Sequence, residues 1–185
     1  MSSLGVFGGS FDPPHVGHVA LAAMATAAEG LDRLLVIPCF QHALGKELTP
    51  FEDRFAMCRL AFGGLAAVEV SDLERHLGGT SYTVDTLEHL RREDPRADLH
   101  LIVGADAVEQ RHAWRHFDRI RSLATLVVFA RDGHHREASY LPAPPAVSAT
   151  EVRRRLRAHE TVRGLLPRTV LQYIETRRLY TREEV

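Results

Sequence analysis

The residues best suited to chemistry lie near the start of the chain, where a glycine pair precedes two histidines. The segment reads Gly8-Gly9-Ser10-Phe11-Asp12-Pro13-Pro14-His15-Val16-Gly17-His18. The glycines let the backbone approach a ligand closely, and a helix that begins after them offers N–H groups and its positive dipole end to a phosphate. His15 and His18 are three residues apart, so both project from one side of the first helical turn. The pattern predicts a phosphate-binding segment flanked by two imidazoles.

Two other kinds of site share parts of this pattern. A pair of histidines occurs in zinc sites, but no third and fourth ligand lies nearby in the sequence with metal-binding spacing. The lysine-bearing phosphate loop requires Gly-Lys followed by Ser or Thr, which this segment lacks. We therefore predict neither a metal site built from protein ligands nor a lysine-bearing phosphate loop at this segment.

A second segment has the residue types of a helix start. It reads Val147-Ser148-Ala149-Thr150-Glu151-Val152-Arg153. Ser148 followed three residues later by Glu151 matches a capping box, which is a purely structural explanation. The alternative is functional, because N–H groups and the Thr150 hydroxyl can hold phosphate, with Arg153 as a nearby cation. Taken alone, the segment leaves both explanations open.

Strands and helices alternate along the chain, which predicts the framework that positions these segments. The predicted strands are Leu4–Phe7, Leu34–Ile37, Val68–Val70, Leu99–Val103 and Leu126–Phe129. The predicted helices are about His15 to Glu29, Phe51–Phe62, Thr83–Arg92, Trp114–Leu123, Thr150–Ala158 and Pro167–Arg177, with a loop over Cys39–Pro50. The expected fold is α/β and Rossmann-like, a doubly wound parallel sheet of five or six strands with helices on both faces. Ligands of such sheets bind beyond the carboxyl ends of the strands.

Size and composition narrow the class of protein. The 185 residues predict a single domain over 1–185, with a helical portion from about residue 148. A formal net charge of −1 argues against a general nucleic-acid binder. No apolar run approaches membrane-spanning length, and Cys39 and Cys58 fit two reduced thiols. We expect a cytoplasmic protein that binds neither nucleic acid nor membrane, and the sequence is compatible with a homo-oligomer.

Both segments resemble the signatures of the HxGH nucleotidyltransferase superfamily. The first has strand, glycine turn and histidine-bearing helix in the same order, and the second resembles a Ser-Ser-Thr-x-x-Arg motif, with Ala149 where the family often has serine. Class I aminoacyl-tRNA synthetases share the short histidine motif, but this chain has no room for their further domains and shows no matching lysine loop. The resemblance implies an enzyme that binds ATP with Mg²⁺ and a small phosphorylated acceptor, with His15 and His18 as catalytic residues.

Three further segments are similar to bacterial nicotinate-nucleotide adenylyltransferases, namely Ser81–Leu87, Val103–Asp106, and Trp114 with Phe117 and Ile120. This resemblance implies transfer of AMP from ATP to nicotinate mononucleotide, giving deamido-NAD and pyrophosphate in NAD biosynthesis. The implied ATP-binding residues are Gly8, Gly9, Ser10, Phe11, His15, His18, Gly104, Asp106, Ser148, Thr150 and Arg153. The implied acceptor-binding residues are Thr83 through its backbone, Trp114 by stacking on the pyridine ring, Lys46, and Arg131 after the fifth strand.

One loop departs from the family pattern and keeps alternatives open. The family carries a Pro-Pro-His-Lys type segment after the second strand, whereas His42 and Lys46 are spaced differently here. The acceptor could therefore be pantetheine phosphate or another phosphorylated compound, or the chain could be a non-catalytic nucleotide-binding regulator. A core-packing role remains an alternative for Trp114. Lys46 and Arg54 could both approach phosphate, and solvated surface charge is the alternative for each.

Overall fold

The structure is a computed structural model that describes residues 2–109, 111–130 and 143–181, without the side chains of Asp106, Ala107 and Arg111. Its strands are β1 (Ser3–Gly9), β2 (Arg33–Pro38), β3 (Gln41–His42), β4 (Val68–Val70), β5 (Thr80–Ser81), β6 (Asp98–Gly104) and β7 (Thr125–Phe129). Its helices are α1 (Val16–Glu29), α2 (Phe51–Phe62), α3 (Leu73–Leu77), α4 (Thr83–Glu93), α5 (Ala105–Glu109), α6 (Phe117–Leu123), α7 (Ala149–Arg157) and α8 (Arg168–Arg177), with a 3₁₀ turn at Arg111–Ala113.

Five of these strands form one parallel sheet in the order β4-β2-β1-β6-β7. Along the chain, β2 and β4 are added on one side of β1, and β6 and β7 are then added on its other side. Strand order therefore reverses between β1 and β6. A crevice opens at the carboxyl ends of strands on either side of such a reversal. The glycines Gly8, Gly9 and Gly104 end these two strands. β3 and β5 pair separately as a two-stranded parallel ribbon.

Helices cover both faces of the sheet because consecutive strand residues point to opposite sides. Val6 and Leu101 pack with Leu87 of α4 and Ile120 of α6 on one face. On the other face, neighbouring strand residues such as Phe7, Val36 and Ile102 pack with Leu21 and Ala25 of α1 and with Cys58 and Phe62 of α2. These apolar strands, buried on both sides, confirm the doubly wound parallel fold.

A third apolar cluster joins the last two helices to α2. Met57 of α2 packs with Val152 of α7 and with Val170 and Ile174 of α8. Each of these side chains is at most 2% exposed. The cluster fixes where α7 begins relative to the sheet, and this matters because α7 carries the second motif. Within the ranges that the structure describes, no helix is long and apolar enough to cross a membrane.

One predicted helix begins later than expected, and several short elements were not predicted. Trp114 precedes α6, which starts only at Phe117 because its N-cap residue His116 adopts a left-handed backbone conformation (φ 54°) that a right-handed helix cannot contain. The elements α3, α5, β3 and β5 span two to five residues. Segments of that length are too short to show a hydrophobic period.

Candidate active site

The two sequence motifs line one cavity of about 640 Å³ at the carboxyl ends of β1 and β6. From the first motif come Gly8, Ser10, Phe11, Asp12, His15, Gly17 and His18, and from the second Val147, Ser148, Ala149, Thr150 and Arg153. Gly104 lines the cavity on the side of β6, and residues 144–146 line it beside the start of α1. Two helix starts about 130 residues apart in sequence therefore face the same space, as the motif pair predicted.

His15 and His18 form a reciprocal cap at the start of α1. The backbone N–H of His15 donates to Nδ1 of His18 (3.2 Å), and the N–H of His18 donates to Nδ1 of His15 (3.4 Å). Their rings stack, with centroids 3.6 Å apart and 19° between the planes. Since Nδ1 of each neutral ring accepts, the ring proton lies on Nε2, which is then a donor. The cap thus presets two imidazole donors on the cavity wall.

The ring of His18 is held in place by the aromatic side chain beneath it. Phe11 is 2% exposed, and its ring meets His18 edge-on, with centroids 5.0 Å apart. Phe11 also packs edge-on against Phe7 (5.2 Å) and Phe62 (5.9 Å). Phe11 therefore serves the cavity mainly as a buried support for His18, although a nucleotide-binding role was also expected of it.

The two helix starts differ in what they offer an anion. At α1, the N–H of Val16 already donates to the carbonyl of Leu165, and that of His18 to His15. The predicted phosphate cradle at α1 therefore consists of imidazole groups more than of backbone N–H groups.

At α7, the first intrahelical bond runs from Val152 to Ser148, so the three preceding N–H groups have no intrahelical acceptor. Ser148 is the N-cap residue, yet its side chain makes no capping hydrogen bond, and Glu151 instead pairs with Arg154 and Arg155. The capping-box explanation of this motif is wrong. The hydroxyl and the N–H groups at this helix start remain available to an anion in the cavity.

Asp12 ties both motifs to the end of the chain. It is 4% exposed, and its carboxylate accepts from the Tyr180 hydroxyl (2.6 Å) and from the backbone N–H of Thr49 (3.2 Å). Its carbonyl accepts from the guanidinium of Arg153, which also donates to the Thr150 hydroxyl (3.3 Å). Burial and the Asp12 charge raise the pKa of Tyr180, so this hydroxyl stays protonated as a donor. The sequence pattern gave no signal for this cluster.

Tyr180→Phe is expected to lower the free energy of unfolding by about 2 kcal/mol, because a hydrogen bond to a buried carboxylate is lost. Tyr173→Phe is the matched control, since Tyr173 also donates to a buried carboxylate, that of Asp53 (2.9 Å). Asp53 keeps an ion pair with Arg177, whereas the Asp12 carboxylate keeps only the neutral backbone N–H of Thr49, so the control should lose less. Urea unfolding of the three proteins measures both losses. An equal loss in both variants would contradict the role assigned to Tyr180.

The glycines of the first motif serve two different purposes. A Cβ built on Gly8 would meet nothing within 4 Å, so the backbone there borders open cavity space. A Cβ on Gly17 would lie 2.8 Å from the carbonyl oxygen of Pro145. The missing side chain of Gly17 therefore makes room for the 144–146 segment, which passes close to the start of α1.

A second cavity, of about 510 Å³, adjoins the first at Gly8 and Ser10. Thr83 and Trp114 both line it, as expected of acceptor-binding residues. Trp114 is half-buried, packs on the sheet core and meets Phe117 edge-on (6.1 Å). Trp114 therefore packs against the core and also borders the cavity, so both interpretations of this residue are correct. Thr83 opens α4, whose N-cap residue Tyr82 makes no side-chain capping bond.

Lys46 and Arg54 do not line this second cavity. Lys46 is exposed in the loop before α2 and lines the first cavity, not the one that holds Thr83 and Trp114. Arg54 is 1% exposed and donates to the carbonyl oxygens of Thr49 (2.8 Å) and Ser10 (3.0 Å). Arg54 is thus no surface charge. It joins the first motif to the loop that carries Lys46.

The remaining expected residues are only partly described. Asp106 lies in α5, the helix that begins directly after Gly104, but its side chain is not described. Arg131 lies outside the described residues. Cys39 is half-buried and Cys58 buried, and both are free thiols. Among the residues that the structure describes, no group of three or more His, Cys, Asp or Glu could hold a metal ion. A divalent cation in this cavity would therefore take most of its ligands from phosphate and water.

Comparison with known proteins agrees with this geometry. A family model described as Cytidylyltransferase-like matches residues 6–155. A protein of Anaeromyxobacter dehalogenans named probable nicotinate-nucleotide adenylyltransferase is 44% identical over 96% of both chains. A protein of the same name from Thermus thermophilus is 40% identical over 96% of this chain and 98% of its own. Plasmodium falciparum nicotinic acid mononucleotide adenylyltransferase complexed with NaAD has the same fold, with a TM-score of 0.85 at 18% identity, covering 97% of this chain and 98% of that one.

Proposed function

The chain belongs to the cytidylyltransferase-like family and, by its relatives, to the nicotinate-nucleotide adenylyltransferases, and from that premise we propose that it transfers AMP from ATP to nicotinate mononucleotide. The products are deamido-NAD and pyrophosphate. The observation that carries this proposal is the junction of the two cavities at Gly8 and Ser10. A triphosphate in the first cavity and a phosphorylated pyridine nucleotide in the second would meet at that point.

The reaction is a direct displacement at phosphorus. A phosphate oxygen of nicotinate mononucleotide attacks the α-phosphorus of ATP, forming one P–O bond. The bond from the α-phosphorus to the oxygen bridging to the β-phosphorus breaks, and pyrophosphate leaves with that electron pair. Because the attacking phosphate is already anionic, no side-chain base is needed. The protein then contributes alignment and stabilisation of charge.

The imidazole pair stabilises the charge that develops on the α-phosphate. His18 donates from Nε2 to a non-bridging oxygen of that phosphate, and His15 assists beside it. The reciprocal cap supports these roles, because it fixes Nδ1 of both rings as acceptors before substrate arrives. Donors that are already oriented need no reorganisation as the transition state forms. Gly8, Gly9 and Ser10 let the phosphates pass close to the backbone, as the open space at Gly8 supports.

The start of α7 holds the leaving pyrophosphate. The N–H groups at this helix start, with the hydroxyls of Ser148 and Thr150, bind the β- and γ-phosphates, and Arg153 adds a cation beside them. The absence of a capping bond from Ser148 supports this role. Among the described residues no group of three or more His, Cys, Asp or Glu could hold a metal ion, so a Mg²⁺ that accompanied ATP would take most of its ligands from phosphate and water and would neutralise phosphate charge. Gly104 and Asp106 border the nucleotide from the β6 side.

The second cavity receives the pyridine nucleotide. Trp114 stacks on the flat ring, and the backbone at Thr83 binds the ring carboxylate at the start of α4. Both residues line that cavity, which supports these roles. Lys46, from its position on the first cavity, is proposed to contact phosphate, and Arg131 is proposed to do so after β7. We further propose that residues 1–185 act as a single domain on these small molecules.

Pyrophosphate release in the presence of ATP and Mg²⁺, measured with a panel of acceptors, tests the proposed function. The panel contains nicotinate mononucleotide, nicotinamide mononucleotide and pantetheine phosphate. We expect turnover with nicotinate mononucleotide and formation of deamido-NAD in equal amount to pyrophosphate.

Two other outcomes identify the rival functions. Turnover with pantetheine phosphate alone would assign the chain to another acceptor and leave Trp114 with a structural role. ATP binding without pyrophosphate release from any acceptor would make the chain a nucleotide-binding regulator. Either outcome would overturn the proposal.

A further inference from the structure

The second cavity contains one arginine that sequence motifs did not single out. Arg115 lines this cavity beside Trp114 and is exposed. Its guanidinium lies over the ring of Tyr82, 4.7 Å from the ring centroid, and Tyr82 lines the same cavity. No Asp or Glu within the described ranges lies at ion-pair distance from Arg115. The cation is therefore oriented by an aromatic face, and no Asp or Glu of the described ranges neutralises it.

The other titratable groups that line this cavity shift towards their neutral forms. Burial raises the pKa of the Glu74 carboxyl and of the Cys39 thiol. Burial, with the nearby charge of Lys46, lowers the pKa of the His42 imidazole. A guanidinium keeps its charge at any physiological pH. Arg115 is thus the group that gives the described wall of this cavity a lasting positive charge.

The start of α4 adds hydrogen-bond donors to the same wall. The first intrahelical bond runs from Asp85 to Tyr82, so the N–H groups of Thr83 and Val84 have no intrahelical acceptor. The guanidinium and these N–H groups are donors without acceptor capacity. A carboxylate presents only acceptors to such a wall. A carboxamide would bring its own NH₂ donors, which neither the guanidinium nor these N–H groups can accept.

We propose that Arg115 selects the carboxylate form of the pyridine acceptor over the carboxamide form. This inference rests on the proposed function, since it concerns the acceptor of that reaction. The guanidinium attracts the negative charge of a ring carboxylate and donates hydrogen bonds to it. Arg115 contributes far less to the binding of the neutral carboxamide. Arg115 is thereby a specificity-determining residue, while Trp114 would bind both rings by stacking.

Three variants test this assignment in the full-length chain. Arg115→Gln removes the charge, Arg115→Lys keeps it, and Arg121→Gln removes a comparable exposed charge from α6, away from the cavity. The readouts are kcat/KM for nicotinate and nicotinamide mononucleotide at saturating ATP, and Kd for each compound from fluorescence quenching. Trp114 is the single tryptophan of the sequence, so quenching reports on this cavity without requiring turnover.

Arg115→Gln should reduce the preference for nicotinate about tenfold, through KM and Kd, because a partly exposed charged contact is lost. Its use of the nicotinamide compound should stay within about twofold, and both Arg115→Lys and Arg121→Gln should keep most of the preference. An unchanged preference in Arg115→Gln, or an equal loss in Arg121→Gln, overturns the inference. If the wild type binds nicotinate mononucleotide selectively but turns nothing over, the proposed function fails while the role of Arg115 stands.

Discussion

Replacing His18 with alanine is expected to lower kcat for pyrophosphate release by about 10²–10³-fold, the usual cost of removing one preset donor from a transition state. The ring meets Phe11 edge-on and His15 by stacking, so its position on the cavity wall is fixed before substrate binds. KM for ATP should change much less, because we propose that the start of α7 holds the other phosphates. Steady-state kinetics with nicotinate mononucleotide measures both constants.

A second variant separates the catalytic donor from the helix cap. Nδ1 of His18 accepts from the N–H of His15, so His18→Ala also removes a capping bond worth about 1 kcal/mol of stability. His18→Asn retains a short acceptor for that N–H but lacks the distal donor. We expect the asparagine variant to be as slow as the alanine variant and more stable to urea. His76→Ala, which changes an exposed histidine of α3, should alter neither. Turnover near that of the wild type in both His18 variants would remove His18 from the mechanism.

The sheet and the main helices could be predicted from the sequence because each has a strong local signal. Uninterrupted apolar runs mark β2 and β6, which are buried on both faces. α2 was predicted with its observed bounds, Phe51–Phe62, since apolar residues recur there at helical spacing. The predicted start of α6 at Trp114 was wrong. A left-handed backbone conformation is usually signalled by a glycine, and here it is adopted by His116, which gives no such signal in the sequence.

Motif residues were predicted better than the contacts that support them. Glycines at the end of β1 let the backbone approach a ligand, and a serine marks the start of α7, where backbone N–H groups are free. Both features can be recognised from a few neighbouring residues, so their place on the cavity could be predicted from the sequence. Tyr180 reaches Asp12 across 168 residues, and Arg54 reaches Ser10 across 44. Such pairs depend on how the third cluster and the sheet pack, which no local pattern encodes. This is why Arg54 resembled surface charge in the sequence and is buried in the fold.

The same limit applies to the capping motif at α7. Ser148 and Glu151 have the spacing of a capping box, but Arg154 and Arg155 compete for the carboxylate at 2.8 and 2.7 Å. These contacts, with the Arg154 hydrogen bond foremost, lower the pKa of Glu151 to about 2, so it stays charged and paired. Local spacing therefore predicted the helix start correctly and its capping partner wrongly.

Trp114→Ala is expected to lower kcat/KM for nicotinate mononucleotide by about 10- to 100-fold, since stacking of an aromatic side chain on a flat base contributes about 1–3 kcal/mol. The loss should appear in KM for the acceptor and leave KM for ATP within about twofold, because Trp114 lines the second cavity and not the first. Trp114→Phe should recover part of the activity, since a smaller ring still stacks.

The control for this prediction must account for the packing of Trp114 against the sheet core, which alanine also removes. Phe117→Ala deletes the edge-on partner of Trp114 but does not line the cavity, so it reproduces the packing loss without the loss of stacking. We expect both variants to be destabilised in urea and only Trp114→Ala to lose acceptor affinity at a temperature where both are folded. If the two variants lost acceptor affinity equally, the pyridine ring would not stack on Trp114. An acceptor without an aromatic ring at this position, such as pantetheine phosphate, would then fit the second cavity better.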